Sequence, residues 1–201
     1  MRIMHKSPDL TLLIALWLLL GMGIVIALPQ MLALWSITSI LQFATLLALV
    51  ALGQSLVVMA GGGGIDLSVG GNVSLSAVVG MLALQQGVNP GLLPVICMLT
   101  GTVAGALNGL LVARLRLWPL IVTLGSFYLF SGLALALTDG AAISGVPAEL
   151  TQWGRGANFA IPLPFMTCVI PAFFLAWLIL SKSAWGKWVY ACGFNEHATR
   201  L

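Results

Sequence analysis

Asp66 stands at the start of a helical run, directly behind the most unusual stretch of the chain, Ala60-Gly61-Gly62-Gly63-Gly64-Ile65-Asp66-Leu67-Ser68-Val69-Gly70-Gly71. A carboxylate in that position can accept free backbone N–H groups and meets the positive end of a helix dipole. Each glycine costs about 1 kcal/mol relative to alanine in a helix, so four in succession predict irregular backbone. Near a membrane such backbone is tolerated only where protein covers it or where it lines a wet cavity. Transporters use interrupted helices of this kind to bring helix ends and bare backbone groups to a substrate path. Two readings fit. In one, a broken or re-entrant element faces a path, with Gly63, Gly64, Asp66, Ser68, Gly70, Asn72 and Asn108 around it. In the other, a cytoplasmic turn carries a solvated aspartate that caps the next helix.

The other polar groups within or beside apolar runs are Gln54, Asn72, Ser74, Ser76, Asn108, Thr123 and Ser126. They are uncharged and suit hydrogen bonds to hydroxyl-rich solutes, and they suit bonds between neighbouring helices equally well. No run has Lys, Arg or Glu at its centre, which argues against a proton relay or a voltage sensor. Gly101, Gly105 and Gly109 recur every four residues on one helix face, the small-xxx-small spacing that lets helices approach closely.

Catalytic chemistry has no foothold. Gly186-Lys187-Trp188 lacks the rest of a phosphate-binding loop, and His5 and His197 are isolated and terminal. Cys97, Cys168 and Cys192 have no metal or redox spacing and read as small buried hydrophobes. No nucleophile stands beside a base. No enzyme activity, metal or cofactor is expected of this chain, and its scattered basic residues form no patch for a nucleic acid.

The elements that must position these groups follow from composition. Hydrophobic residues make up 60% of the chain, charged ones 6%, and the mean hydropathy is +1.10. Soluble domains carry about 25% charged residues, so the solvent around this chain must be lipid. The first apolar run, Leu10–Leu28, follows Arg2 and Lys6 but exceeds the usual length of a signal-peptide core, and reads as a retained span. Further spans are expected at Ile40–Ala60, Val69–Leu84, Leu92–Ala113, Leu120–Thr138 and Ile161–Leu180, the third being short. With the amino terminus cytoplasmic, the inside segments hold Arg2, Lys6, Arg114, Arg116, Lys182, Lys187 and Arg200, and the outside ones hold only Arg155. That asymmetry obeys the positive-inside rule. The expected fold is all-α: a polytopic transmembrane helical bundle of about six spans in the bacterial inner membrane, with both ends cytoplasmic. Residues 1–201 form one membrane-embedded domain, 139–160 a periplasmic loop with room for a short interfacial helix, and 182–201 a cytoplasmic segment.

Three segments together resemble the permease family of ribose- and other monosaccharide-type ABC importers, which includes autoinducer-2 permeases. The first is Gly63-Gly64-Ile65-Asp66-Leu67-Ser68-Val69-Gly70. The second runs from Asn108-Gly109 through Leu115-Arg116-Leu117 and Pro119 to Thr123-Leu124-Gly125, and on to Gly132-Leu133 and Thr138. The third, Tyr190 to Leu201, is similar to the segment that docks on the ATPase subunit. The resemblance implies a translocation path for a sugar or similar small polar solute. It also implies a second permease copy or homologue, an ABC ATPase subunit that hydrolyses ATP, and a periplasmic solute-binding protein. Tyr190, Gly193, Asn195, Ala198 and Leu201 are the docking residues it implies, on a short polar helix capped by Asn195. Departures are the extra Gly61-Gly62, Ser131 where relatives often carry arginine, and Phe194 between Gly193 and Asn195. Family members continue for several more spans, so the chain is similar to the amino-terminal part of one. The rival expectations are an ion-coupled secondary transporter and a non-transporting truncated membrane remnant.

Overall fold

A computed structural model describes residues 8–194. Its helices are α1 (Pro8–Ala27), α2 (Leu34–Met59), α3 (Val69–Gln85), α4 (Leu93–Leu115), α5 (Pro119–Leu137), α6 (Ala148–Arg155), α7 (Ile170–Lys182) and α8 (Ala184–Phe194). Two residue pairs, β1 (Ala157–Asn158) and β2 (Ile161–Pro162), form an antiparallel hairpin. Among the described residues, five helices are long and apolar enough to cross a membrane: Leu10–Ala27, Leu34–Met59, Pro90–Leu115, Pro119–Leu137 and Phe165–Lys182. The chain is a multi-pass helical membrane protein.

α3 is the exception among the long helices. Its 17 residues rise about 25 Å, short of the roughly 30 Å hydrocarbon core. The irregular residues between Met59 and Val69 supply the remaining length. The expected sixth span must also be moved. Its predicted first residues, Ile161–Pro162, belong to the hairpin, and the helical crossing begins with a π-helical turn at Phe165–Val169. Prolines at 162 and 164 fit the later start, since proline lacks the N–H a helix needs beyond its first turn.

α3 packs against both α4 and α5, while α2 packs against the hairpin, the start of α7, and α8. The core is narrow. Ala104 of α4 and Val122, Phe130 and Ala134 of α5 fill it, and Val169 and Val189 are buried near α7 and α8. Most large apolar side chains point outward, and every described side chain of α1 from Leu10 onward is exposed. An inside-out distribution of this kind is what lipid as solvent selects. Arg114 and Arg116 stand at the α4–α5 turn, Lys182 ends α7 and Lys187 lies in the first turn of α8, whereas Arg155 ends α6.

Candidate functional site

The four glycines form a closed turn. The Gly61 carbonyl accepts the Gly64 N–H at 3.0 Å, and Gly62 and Gly63 have φ of 64° and 71°. Positive φ at both central residues defines a primed turn, which side-chain-bearing residues adopt only at a cost. At Gly64 a Cβ would meet the Val57 carbonyl oxygen at 2.6 Å, so the turn folds back tightly on the end of α2.

Beyond the turn the chain has backbone groups that no helix or sheet satisfies. Side chains from the neighbouring helices take them. The Gln54 amide on α2 donates to the Asp66 carbonyl, and the Thr123 hydroxyl on α5 is shared between the Pro119 carbonyl of its own helix at 2.8 Å and the Ile65 carbonyl at 3.2 Å. Asp66 Oδ1 accepts the Ser68 N–H at 2.8 Å and the Ser68 hydroxyl at 2.6 Å. Thus Ser68 occupies the N-cap position of α3, and the carboxylate two residues earlier holds it there as an Asx turn.

Ser68 is one link of a buried chain. Ser126 Oγ on α5 donates to Asn108 Oδ1 on α4 at 2.5 Å, Asn108 Nδ2 donates to Ser68 Oγ at 2.8 Å, and Ser68 Oγ donates on to Asp66. Ser68 is 1% exposed, Asn108 5% and Ser126 8%. All donors point one way and the chain ends on an anionic acceptor, an order in which each bond polarises the next. Three helices are thereby pinned at one level.

That level is deep. Asn108 lies seven residues before the end of α4 and Ser126 seven residues after the start of α5. At 1.5 Å per residue both sit about 10 Å inside the α4–α5 turn. The start of α3 is therefore set about 10 Å back from the α4–α5 turn along the bundle, and the glycine turn leads into it. The stretch from Ala60 to Ser68 is non-helical and is tied by side chains to the helices beside it.

The remaining expected residues fall as follows. Asn72 Nδ2 donates to the Gly101 carbonyl at 3.2 Å and Ser76 donates to Asn72 Oδ1 at 3.3 Å, which ties α3 to α4. A Cβ on Gly70 would meet the Phe127 ring at 3.3 Å. Gly105 and Gly109 meet nothing within 4 Å in this chain, whereas Gly101 faces Ser76 and Asn72. Ser74 is exposed on α3. Tyr190 and Gly193 lie on α8, and Asn195, Ala198 and Leu201 lie outside the described residues. Gln54, Asn108, Thr123 and Ser126 each make at least one hydrogen bond within the chain. No group of three or more metal-binding side chains occurs among the described residues.

One contact had no sequence signal beyond two unexplained glycines. A Cβ on Gly61 would meet the Gly193 Cα at 3.0 Å, so the turn and α8 touch backbone to backbone.

A family profile described as "Branched-chain amino acid transport system / permease component" matches residues 36–201. The ribose import permease protein RbsC of Bacillus subtilis (strain 168) is 35% identical over 86% of this chain and 53% of that protein. The autoinducer 2 import system permease protein LsrC of Photorhabdus luminescens is 35% identical over 100% of this chain and 59% of its own length. LsrC of Escherichia coli O9:H4 (strain HS) is 36% identical over 85% and 49% respectively. The chain spans about half the length of these relatives. No solved structure matches it.

Proposed function

The chain belongs to the family of branched-chain amino acid transport system permease components, and from that premise we propose that it is a transmembrane permease subunit of an ABC importer. With a second permease copy or homologue it forms the path for a sugar or similar small polar solute. A separate ABC ATPase subunit supplies the energy, and a periplasmic solute-binding protein delivers the solute. The relatives named for ribose and autoinducer 2 support a hydroxyl-rich solute class.

The observation that carries this reading is the recessed segment 61–68. Gly62, Gly63, Ile65 and Leu67 are exposed on its open side, continuous with Gly70, Val73 and Ser74 on α3. Backbone without regular hydrogen bonds cannot face hydrocarbon, where each unsatisfied group costs several kcal/mol. The open side therefore faces water or a second permease. Both environments are compatible with a position on the axis of a paired transporter, which is the position proposed. Side chains pin the other side to α2, α4 and α5, which makes the element a firm wall with one free face.

The basic end of the bundle is cytoplasmic under the positive-inside rule, and residues 139–160 then lie in the periplasm. α8 follows Lys182 at the cytoplasmic end and exposes Tyr190, which supports segment 182–201 as the ATPase-docking surface. Gly105 and Gly109 on α4 present a smooth face for the second permease.

Uptake of radiolabelled ribose and autoinducer 2, in cells carrying the chain with or without the ATPase gene, tests the proposal. Uptake must vanish when the ATPase is deleted. Uptake that persists there and follows an ion gradient contradicts it.

A further inference from the structure

We propose that Gly61 and Gly193 are positioning residues for transport, forming a backbone joint through which displacement of α8 reaches the buried Ser68–Asn108–Ser126 chain. The inference rests on the reading of α8 as the docking helix. At the joint a Cβ on Gly61 would meet Gly193 Cα at 3.0 Å and the Cys192 carbonyl oxygen at 3.2 Å, and a Cβ on Gly193 would overlap the Met59 carbonyl oxygen. Side chains yield to a push by changing rotamer. Two backbones in contact yield only by moving the elements that carry them, because packed segments rearrange discretely rather than deform.

The route beyond the joint is equally stiff. Gly61 is the first residue of the hydrogen-bonded turn, with φ of 76°. Gly64, the last, is seated against the Val57 carbonyl. The next two carbonyls are held by Thr123 and Gln54, and Ser68 follows. No long side chain intervenes between α8 and the polar chain. Four glycines in a row are thereby accounted for: one contact, two positive φ angles and one fold-back against α2. Coupling through such a route is reciprocal, so a disturbance at either end must register at the other.

Backbone hydrogen exchange followed by mass spectrometry in detergent tests the joint without requiring transport. Gly61→Ala should raise exchange about tenfold across 189–194 on α8, and Gly193→Ala should do so across 65–68. Gly63→Ala is the control for backbone strain, since its φ of 71° is similar but its Cβ would meet nothing within 4 Å. It should leave 189–194 unchanged. If Gly61→Ala and Gly63→Ala affect α8 alike, or if neither joint variant reaches the opposite element, the joint is refuted. In proteoliposomes with the ATPase, Gly61→Ala should retain assembly and solute KM while kcat for uptake falls about tenfold. An unchanged kcat with altered exchange also refutes the proposed role. Should the wild-type chain fail to retain the ATPase on co-purification, the docking reading fails, and the exchange arms still decide the joint.

Discussion

Replacing Asn108 by alanine removes the middle of the buried chain. The side chain donates to Ser68 at 2.8 Å and accepts from Ser126 at 2.5 Å, and it is 5% exposed. Interhelical hydrogen bonds in membrane proteins contribute about 0.6 kcal/mol on average and up to about 1.7. Two of them, with the small void left by the amide, give an expected loss of about 2 kcal/mol. The loss is bounded from above because neither partner is fully stranded. Ser68 keeps Asp66 as acceptor, and the Ser126 hydroxyl can turn to the carbonyl one turn back on its own helix. Equilibrium unfolding in mixed micelles, followed by tryptophan fluorescence, measures this directly. Ser126→Ala and the double variant complete a cycle whose coupling energy should be about 0.6–1.7 kcal/mol. Thr102→Ala is the control, since that hydroxyl is exposed and bonds only its own helix at Met98, and it should change stability by less than about 0.5 kcal/mol. Asn108→Ala within 0.5 kcal/mol of wild type, or a cycle without coupling, would refute the pinning of α3, α4 and α5 at this level.

Three further outcomes follow from the same contacts. Gly71→Ala should destabilise by about 1–3 kcal/mol in the same assay, because its Cβ would meet the Phe127 carbonyl oxygen at 2.6 Å, whereas Gly105→Ala and Gly132→Ala, with open space around them, should be neutral or stabilising by up to about 1 kcal/mol. Asp66→Asn retains an acceptor for the Ser68 N–H and hydroxyl and should unfold close to wild type, while Asp66→Ala should lose about 1–2 kcal/mol. Reporter fusions after Leu117 should be active only as cytoplasmic reporters and those after Gly140 only as periplasmic ones; the reverse pattern would invert the proposed orientation.

The spans were legible because length and apolarity decide them, and α2 to α5 lie within a few residues of their predicted positions except for the earlier start of α2. The hairpin was not legible: its tip, Phe159-Ala160, has φ of 49° and 67° without the glycine or asparagine that usually marks such a turn. The polar residues of the spans were all visible, but their partners were not. Which of Asn108, Thr123 and Ser126 faces Ser68 depends on the rotation and register of three helices, which single-chain periodicity leaves open. The stripe Gly101-Gly105-Gly109 illustrates the limit. Steps of four residues advance about 40° per step around a helix, so Gly101 meets α3 while Gly105 and Gly109 have turned away from it. The glycine run announced irregular backbone plainly, and only the antiparallel register of α3 on α4 gave its depth.

The claim that residues 61–68 line the solute path is tested most directly by thiol accessibility at Leu67. In a chain with Cys97, Cys168 and Cys192 replaced, Leu67→Cys is exposed to a water-soluble, membrane-impermeant maleimide and separately to a lipid-soluble one. The account predicts labelling by the water-soluble reagent, altered when ATP loads the assembled transporter, although the position lies about 10 Å back from the α4–α5 turn. Labelling by the lipid-soluble reagent alone would place the open side against hydrocarbon and contradict it.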